Sequence, residues 1–251
     1  MRFVKSLVAA ATLAVSASAF AAPVLPGPEQ SLQSIINGLY SCATCAGVGA
    51  APDVNSDQAA EVGTFVIEAA GGSLATLLIE IAGNKGSNTF GIYDPFSSGK
   101  LELFNGAASG GAKALLEIEL AGSGYSFSLF GSALNAIFSS EMFGYYLGTT
   151  NGTFFSQPGK NALGADQMVA FVGNGADKIK LGENAVPSFF GKDSYILAWE
   201  DIAYARSDKD FNDMVVYVTN IRAVPEPGSL ALLGLGLAGL AAAARRKQKQ
   251  A

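Results

Sequence analysis

Two runs in the middle of the chain alternate strictly between apolar and polar residues: LEIEL at residues 116–120 and YSFSL at residues 125–129. A shorter run of the same kind, LEL, lies at residues 101–103. A period of two places one face of each run on a core and the other face in solvent. These runs therefore predict β-strands that are buried on one side.

Asn-Gly pairs follow or join several of the predicted strands, at residues 105–106, 151–152 and 174–175. Because Asn-Gly tolerates a positive φ at both central positions of a tight turn, these pairs predict hairpins. Further strands are expected near residues 62–69, 74–82, 88–93, 194–200 and 214–222. Regularly spaced short strands with glycine-rich turns predict an all-β fold, an antiparallel β-sandwich or jelly roll.

One short helix is predicted near the start of the domain, over residues 28–39. Apolar residues recur there at helical spacing: Leu32, Ile35, Ile36 and Leu39. Pro28 suits a first helical turn and Gly38 can end the helix. Residues 134–138 show no alternation and are expected to form a short helical or loop connection.

Residues 1–21 have the pattern of a secretory signal peptide. Arg2 and Lys5 form a basic region, residues 7–15 are apolar, and small residues precede the expected cleavage site after Ala21. Cleavage after Ala19 or Ala22 is the alternative. The apolar run is too short to be a second membrane anchor.

Residues 224–251 combine three features in order. Pro225, Glu226 and Pro227 come first, residues 228–244 carry no charge, and a basic cluster follows that includes Arg245, Arg246 and Lys247. The uncharged stretch is near the lower limit of about 17–25 residues for a transmembrane helix. The basic cluster would hold the extreme C-terminus in the cytoplasm and place the rest of the chain outside.

This tail resembles the PEP-CTERM sorting signal of Gram-negative bacteria. The resemblance implies an exported precursor anchored in the inner membrane and recognised by an exosortase, a membrane-bound cysteine transpeptidase that cleaves near the motif. It also implies a bacterium that makes exopolysaccharide, and hence a cell-surface or extracellular protein of the biofilm matrix. An ordinary tail anchor is the alternative interpretation.

Residues 22–223 are expected to form a single exported β-rich domain, because no repeat, proline-rich linker or long charge run divides them. Of the 16 basic residues, two lie in the signal peptide and four follow residue 244, whereas all 21 acidic residues lie between. Residues 22–227 therefore carry a net charge of −11. A field of that sign repels nucleic acid and attracts divalent cations, so we expect no nucleic-acid partner.

Cys42 and Cys45 are the two cysteines of the chain. In an oxidising compartment, without histidines or a second CxxC to complete a zinc site, this spacing predicts a local disulfide. Thioredoxin-like redox chemistry is the less favoured alternative, since no βαβ context surrounds the motif.

An acidic loop lies between the strands predicted at residues 195–199 and 214–218. It holds six carboxylate or amide side chains: Glu200, Asp201, Asp208, Asp210, Asn212 and Asp213. Such hard oxygen donors are the ligands that Ca²⁺ prefers, so these residues are candidate calcium ligands. An EF-hand is excluded, because Asp213 stands where its turn glycine belongs and Thr219 where its bidentate glutamate belongs. A turn tied by capping hydrogen bonds and weak surface ion pairs is the alternative.

Residues 199–216 also resemble the end of an uncharacterised domain of exported bacterial proteins, which has the pattern Asp-x-Asp-Phe-Asn-Asp before a valine-rich strand. Residues 88–94 (NTFGIYD) share another feature of that domain. The resemblance implies a fold and a location rather than an activity. Residues 202–206 depart from it, because the glycine-rich loop usual there is absent.

The chain contains no histidine, which excludes Ser-His-Asp and Cys-His catalysis as well as His-ligated zinc. A carboxylate pair for glycoside cleavage could come from the acidic loop, but nothing in the sequence sets its separation. We therefore expect a non-enzymatic protein. Aromatic pairs at residues 145–146, 154–155 and 189–190 favour a second interpretation, a lectin-like module for exopolysaccharide, since one ring of each adjacent pair should point outward.

Overall fold

A computed structural model describes residues 22–40, 49–60, 62–69, 72–80, 86–129, 135–182 and 185–225. One helix, α1, spans Leu32–Tyr40, and two short 3₁₀ turns span Pro158–Lys160 and Ala162–Gly164. The strands are β1 (Thr64–Ile67), β2 (Ser73–Glu80), β3 (Thr89–Tyr93), β4 (Lys100–Phe104), β5 (Lys113–Ala121), β6 (Gly124–Leu129), β7 (Asn135–Phe138), β8 (Gly144–Thr149), β9 (Gly152–Phe155), β10 (Met168–Val172), β11 (Lys178–Ile179), β12 (Ser188–Phe189), β13 (Tyr195–Trp199), β14 (Met214–Val218) and β15 (Ile221–Val224).

Two larger sheets form the body of the domain. The first has seven strands in the order β10-β13-β14-β2-β5-β6-β7, and the second has four in the order β4-β3-β8-β9. Two small sheets, β1-β15 and β11-β12, complete the described strands. All the pairings are antiparallel, which confirms the predicted all-β antiparallel class.

One hydrophobic core contains residues of both larger sheets. Phe90 of β3 stacks on Tyr145 of β8, with ring centroids 5.4 Å apart, and meets the edge of Trp199 of β13 at 5.9 Å. Offset and edge-on pairs of this kind add to the stabilisation from burial. The two sheets therefore pack on each other through aromatic side chains.

A second core covers the opposite face of the seven-stranded sheet. Here the apolar face of α1, with Leu32 and Ile36, packs with alternate residues of the central strands such as Ile196 and Val215. Strands β13 and β14 are buried along their whole length. The sequences of both strands are continuous apolar runs, without alternating polar residues, because both faces of each strand lie in a core.

Most of the sequence-based boundaries are confirmed within two or three residues, but four predictions are wrong. Residues 135–138 form an edge strand rather than a helix or loop, because they pair with β6 over a short, half-exposed stretch where burial leaves no periodic signal. The strand predicted over residues 214–222 breaks at Thr219 and Asn220, and Asn220 has a positive φ of 57°. The helix begins at Leu32 and continues through Gly38, since residues 28–30 form a bend.

The fourth error concerns the Asn-Gly pairs. Only Asn151-Gly152 joins two paired strands, β8 and β9. Asn105-Gly106 follows β4 and leads towards β5, which lies in the other sheet. Asn174-Gly175 follows β10, but β10 pairs with β13 and β11 pairs with β12. The Asn174 side chain accepts hydrogen bonds from the amides of Ala176 and Asp177, so this pair makes a turn without a hairpin.

The signal peptide and the predicted transmembrane stretch both lie outside the described residues. Within the described ranges, no helix is long and apolar enough to cross a membrane.

Candidate metal centre

The acidic loop, residues 200–213, closes one end of the seven-stranded sheet. Trp199 is the last residue of β13 and Met214 the first of β14, and the two are directly paired. The apolar strands hold both ends of the loop in the core, so the polar residues that follow Trp199 are buried although they lie in a loop. Glu200 is 0 % exposed and Asp210 is 2 % exposed.

Three carboxylates converge within this loop. One oxygen from each of Glu200, Asp208 and Asp210 lies within 4.8 Å of the other two. Glu200 and Asp210 are buried and Asp208 is exposed. The group is therefore closed on the protein side and reachable from solvent through Asp208.

Glu200 has one satisfied and one unsatisfied oxygen. Its Oε1 accepts a hydrogen bond of 2.7 Å from the backbone amide of Phe211. Its Oε2 is buried and finds no hydrogen-bond donor in the part of the chain that the structure describes. The Ser207 hydroxyl lies near enough to lower the pKa of Glu200, and its hydrogen bond, at 3.4 Å, goes to the backbone oxygen of Tyr204. A buried carboxylate oxygen without a partner is costly, and native structures rarely leave one unexplained.

Burial and mutual repulsion raise the pKa values of these carboxyl groups. Burial is the largest cause for Glu200; the Ser207 hydroxyl and the Phe211 amide oppose it, and the charges of Asp208 and Asp210 raise the pKa further. Burial, and then Asp208, raise the pKa of Asp210 to about 6. Burial also raises the pKa of Asp213 to about 8, opposed by its hydrogen bond to the Asp201 amide and reinforced by the charges of Asp201, Glu200 and Asp210. The exclusion of water and the closeness of like charges therefore disfavour the ionised form of these carboxyl groups.

The backbone of the loop takes an unusual path around Asp210. Lys209 and Phe211, on either side, have positive φ values of 65° and 51°. Each costs of order 1–3 kcal/mol for a residue with a Cβ and persists only where the surroundings enforce it. Phe211 is fully buried in the second core, and the Lys209 ammonium lies over the ring of Tyr204, 4.9 Å from its centroid. These contacts hold Asp210 facing Glu200 and Asp208.

The segment that follows the predicted signal peptide, residues 22–31, lies against the acidic loop and is called the N-terminal strap below. The Leu25 amide donates to the Lys209 oxygen at 2.8 Å, and the Asn212 side chain donates to the Gln30 oxygen at 2.9 Å. Gly27 touches Asp210 so closely that a Cβ at this position would overlap the carboxylate. The strap thus packs on the candidate ligands from outside the loop.

The six predicted ligands divide into two groups. Glu200, Asp208 and Asp210 lie close enough together to hold a metal ion. The Asn212 side chain donates to Asp210 Oδ2 at 2.7 Å and so positions that ligand.

Asp201 and Asp213 instead tie the two ends of the loop. The Asp213 carboxylate accepts a hydrogen bond of 2.8 Å from the Asp201 backbone amide. The Asp201 carboxylate accepts one of 3.2 Å from the Asn88 side-chain amide. Asn88 therefore fixes the start of β3 to the loop. The roles of Gln30 and Gly27 were not visible in the sequence, because contacts across such long separations leave no local pattern.

The remaining predicted sites are only partly covered by the structure. Cys42 and Cys45 lie outside the described residues, as do Glu226, Pro227 and the basic residues Arg245, Arg246 and Lys247. Pro225 is described, and it is exposed directly after β15.

Comparisons with known proteins find two family models in this chain. Residues 223–247 match the PEP-CTERM protein-sorting motif. Residues 121–220 match a domain of unknown function, DUF4114, and this match includes the acidic loop. No curated protein and no solved structure is significantly similar to the chain.

The recognition of the tail is thereby confirmed, and the chain has the features of an exosortase substrate. A PEP-CTERM motif indicates an exported protein that is made as a membrane-anchored precursor and processed by an exosortase.

Proposed function

We propose that the mature chain is a non-enzymatic extracellular domain whose acidic loop binds one calcium ion. The ligands are carboxylate oxygens of Glu200, Asp208 and Asp210, with water completing the six to eight oxygens that Ca²⁺ takes. The observation that supports this most directly is the orphaned Glu200 Oε2, which is buried beside two further carboxylates. A cation would give that oxygen a partner and would offset the repulsion among the three groups.

The same burial argues against a catalytic role for these carboxylates. Glu200 and Asp210 are almost completely inaccessible, so a sugar ring cannot reach both of them, whereas a small ion entering beside Asp208 can. A cavity of about 440 Å³ in the described part of the chain lies between α1 and β2, lined in part by Leu39 and Leu77. A carboxylate pair for glycoside hydrolysis needs open space between its members for substrate.

The proposal is tested by purifying the mature protein from its host and titrating it with calcium in a calorimeter. We expect one ion per chain for the wild type and at least about tenfold weaker binding for Asp208→Asn, which removes one charged ligand while leaving the buried residues in place. Glu119→Gln is the matched control, because it removes one negative charge from an exposed position on β5. Absence of calcium binding to the wild type would contradict the proposal.

The proposed location of the mature protein is the cell surface or the extracellular polymer matrix of a biofilm. This proposal rests on the PEP-CTERM motif together with the expected signal peptide. Deleting residues 225–251 should change where the protein fractionates in its host. Identical fractionation of the truncated and full-length chains would contradict a sorting role for the tail.

A lectin-like role is the second candidate, and one exposed ring favours it. Phe189 is 61 % exposed beside its buried neighbour Phe190, and the Lys178 ammonium lies 5.1 Å from the centroid of its ring. The other predicted aromatic pairs give little support, because Tyr145, Tyr146 and Phe154 are buried. Retention of the mature protein on the host's exopolysaccharide, and its loss in Phe189→Ala, would favour this role. If the wild type and Phe189→Ala both elute from the polysaccharide column as they do from an inert matrix, the lectin-like role is excluded.

A further inference from the structure

The last strand in the described part of the chain ends directly before the Pro-Glu-Pro motif. Strand β15 pairs with β1 through to its last residue, where Val224 lies opposite Thr64. The Thr64 hydroxyl donates to the Val224 oxygen at 3.1 Å. Pro225, the first residue of the motif, follows directly. No linker therefore separates the motif from the paired strand.

Several contacts hold the end of β15 in place. Ile221 is fully buried in the core between the larger sheets, and the Ala223 amide donates to the Tyr195 hydroxyl at 3.3 Å. Strand β1 is itself fixed to the body of the domain, because Phe65 and Phe143 exchange two backbone hydrogen bonds of 2.8 and 2.9 Å. The residues just before the motif are thus part of the folded structure.

The distance to the membrane is short. Only residues 225–227 separate Val224 from the start of the apolar stretch at Gly228. Even fully extended, the chain from Val224 to Gly228 spans at most about 14 Å. A protein that recognises a peptide as an added β-strand binds it through the backbone hydrogen bonds of that extended segment. In β15 those hydrogen bonds are already made to β1.

We propose that the exosortase acts on the motif only while the C-terminal end of β15 is detached from β1, so that this pairing controls when the protein is processed. The pairing suits such a role, because a two-stranded ribbon of four-residue strands is weak by itself. Local openings of short terminal segments cost far less free energy than global unfolding. The inference does not depend on calcium binding.

A cross-link between β1 and β15 tests this directly. Thr64 and Val224 are register partners, and paired residues of antiparallel strands have Cα atoms about 4.5–5.5 Å apart, within the range of a disulfide. Full-length Thr64→Cys/Val224→Cys is expressed in the host, and conversion of precursor to mature protein is followed by pulse-chase and immunoblot. The two single-cysteine variants are the matched controls, and a non-reducing gel reports the cross-link.

We expect the cross-linked precursor to lose most of its conversion over a chase that processes the wild type fully. A second variant shows whether a loss of conversion comes from a blocked motif or from a misfolded domain. A six-residue Gly-Ser spacer placed between Val224 and Pro225 of the cross-linked chain should restore conversion. Processing of the cross-linked chain at the wild-type rate would overturn the proposal. Failure of the spacer to restore conversion would also overturn it, because the motif would then be free while processing remained blocked.

Discussion

The side chain of Asn212 donates a hydrogen bond of 2.9 Å to the backbone oxygen of Gln30, which lies 182 residues earlier in the chain. The same amide donates to Asp210 Oδ2 at 2.7 Å. One buried residue thus connects the N-terminal strap with a candidate metal ligand. The beginning of the exported domain is therefore part of the same structure as the acidic loop near its end.

Removing the Asn212 side chain should destabilise both the N-terminal strap and the acidic loop. Asn212→Ala deletes both hydrogen bonds in a buried setting and leaves the Gln30 oxygen without its donor, so we expect a loss of about 1–3 kcal/mol in the free energy of unfolding. Chemical denaturation measures the loss, and hydrogen exchange should show faster exchange of the strap amides. Asn37→Ala, an exposed change on α1, is the control and should alter stability by less than about 0.5 kcal/mol. Unchanged exchange in the strap would contradict the assigned role of Asn212.

Two glycines on either side of the start of α1 give a matched pair. A methyl group at Gly27 would overlap the Asp210 carboxylate, whereas a Cβ at Gly38 meets no atom within 4 Å. Gly27→Ala should therefore destabilise the protein and weaken calcium binding, because Asp210 must move. Gly38→Ala should stabilise the helix by about 0.5–1 kcal/mol. Thermal melting and calcium titration of both variants check the prediction, and equal behaviour of the two would refute the close contact at Gly27.

A carboxylate outside the acidic loop should make the domain sensitive to acid. Asp94 is fully buried and accepts hydrogen bonds from the amides of Phe96 and Ser139 and from the hydroxyls of Ser97 and Ser139. Burial alone would raise the pKa of Asp94, but these hydrogen bonds outweigh it and hold the pKa below its usual value. The ionised form is therefore favoured by folding. Its contribution is present above the unfolded pKa of about 3.9 and is lost as the pH falls through the lower, folded pKa.

Asp94→Asn tests this sign. At neutral pH the variant should lose about 1.5–3 kcal/mol, the typical contribution of hydrogen bonds to a charged group. The difference in unfolding free energy between wild type and variant should stay constant above about pH 5 and narrow below about pH 4. A gap that widens in acid would show that the Asp94 pKa is raised instead.

Cys42 and Cys45 should be oxidised to a local disulfide in the exported protein. The loop between them is so short that closing it adds little stability, so Cys42→Ser should leave the domain folded. Thiol labelling of freshly isolated protein without reductant measures the state of the two cysteines. Complete labelling would contradict the disulfide.

The sequence was most informative where one face of an element meets solvent. The alternating run at residues 101–103 became a strand whose two leucines are buried and whose glutamate is exposed, because burial on one side leaves a period of two. The run at residues 116–120 also became a strand, but its burial fades towards Leu120, which is 75 % exposed. The acidic loop was visible because its ligands are close in sequence, and three of the six, Glu200, Asp208 and Asp210, converge. The strand at residues 135–138 was not predicted because it is held by its pairing with one neighbour, β6, and this pairing leaves no alternating pattern in the sequence.

The contacts of the strap could not be predicted for a different reason. Gln30 contributes a backbone oxygen and Gly27 a lack of side chain, and neither property marks a residue as part of a distant site. The Asn-Gly pairs were also only partly informative. A turn residue determines the local backbone geometry, but it does not determine which strands pair with each other. Asn174 makes its turn, but tertiary packing gives β10 and β11 different partners.

The most direct test of the central claim is the melting temperature of the mature protein in 1 mM calcium and in chelator. With a Kd near 10⁻⁵ M, calcium at about a hundredfold excess stabilises the folded state by about 2.7 kcal/mol. For a domain of this size that corresponds to a rise of about 5–10 °C. We predict this rise for the wild type and for Glu119→Gln, and at most about half of it for Asp208→Asn, with little change of the melting temperature of that variant in chelator. Equal melting temperatures of the wild type in calcium and in chelator would contradict the calcium site and leave the acidic residues with a role in the turn alone.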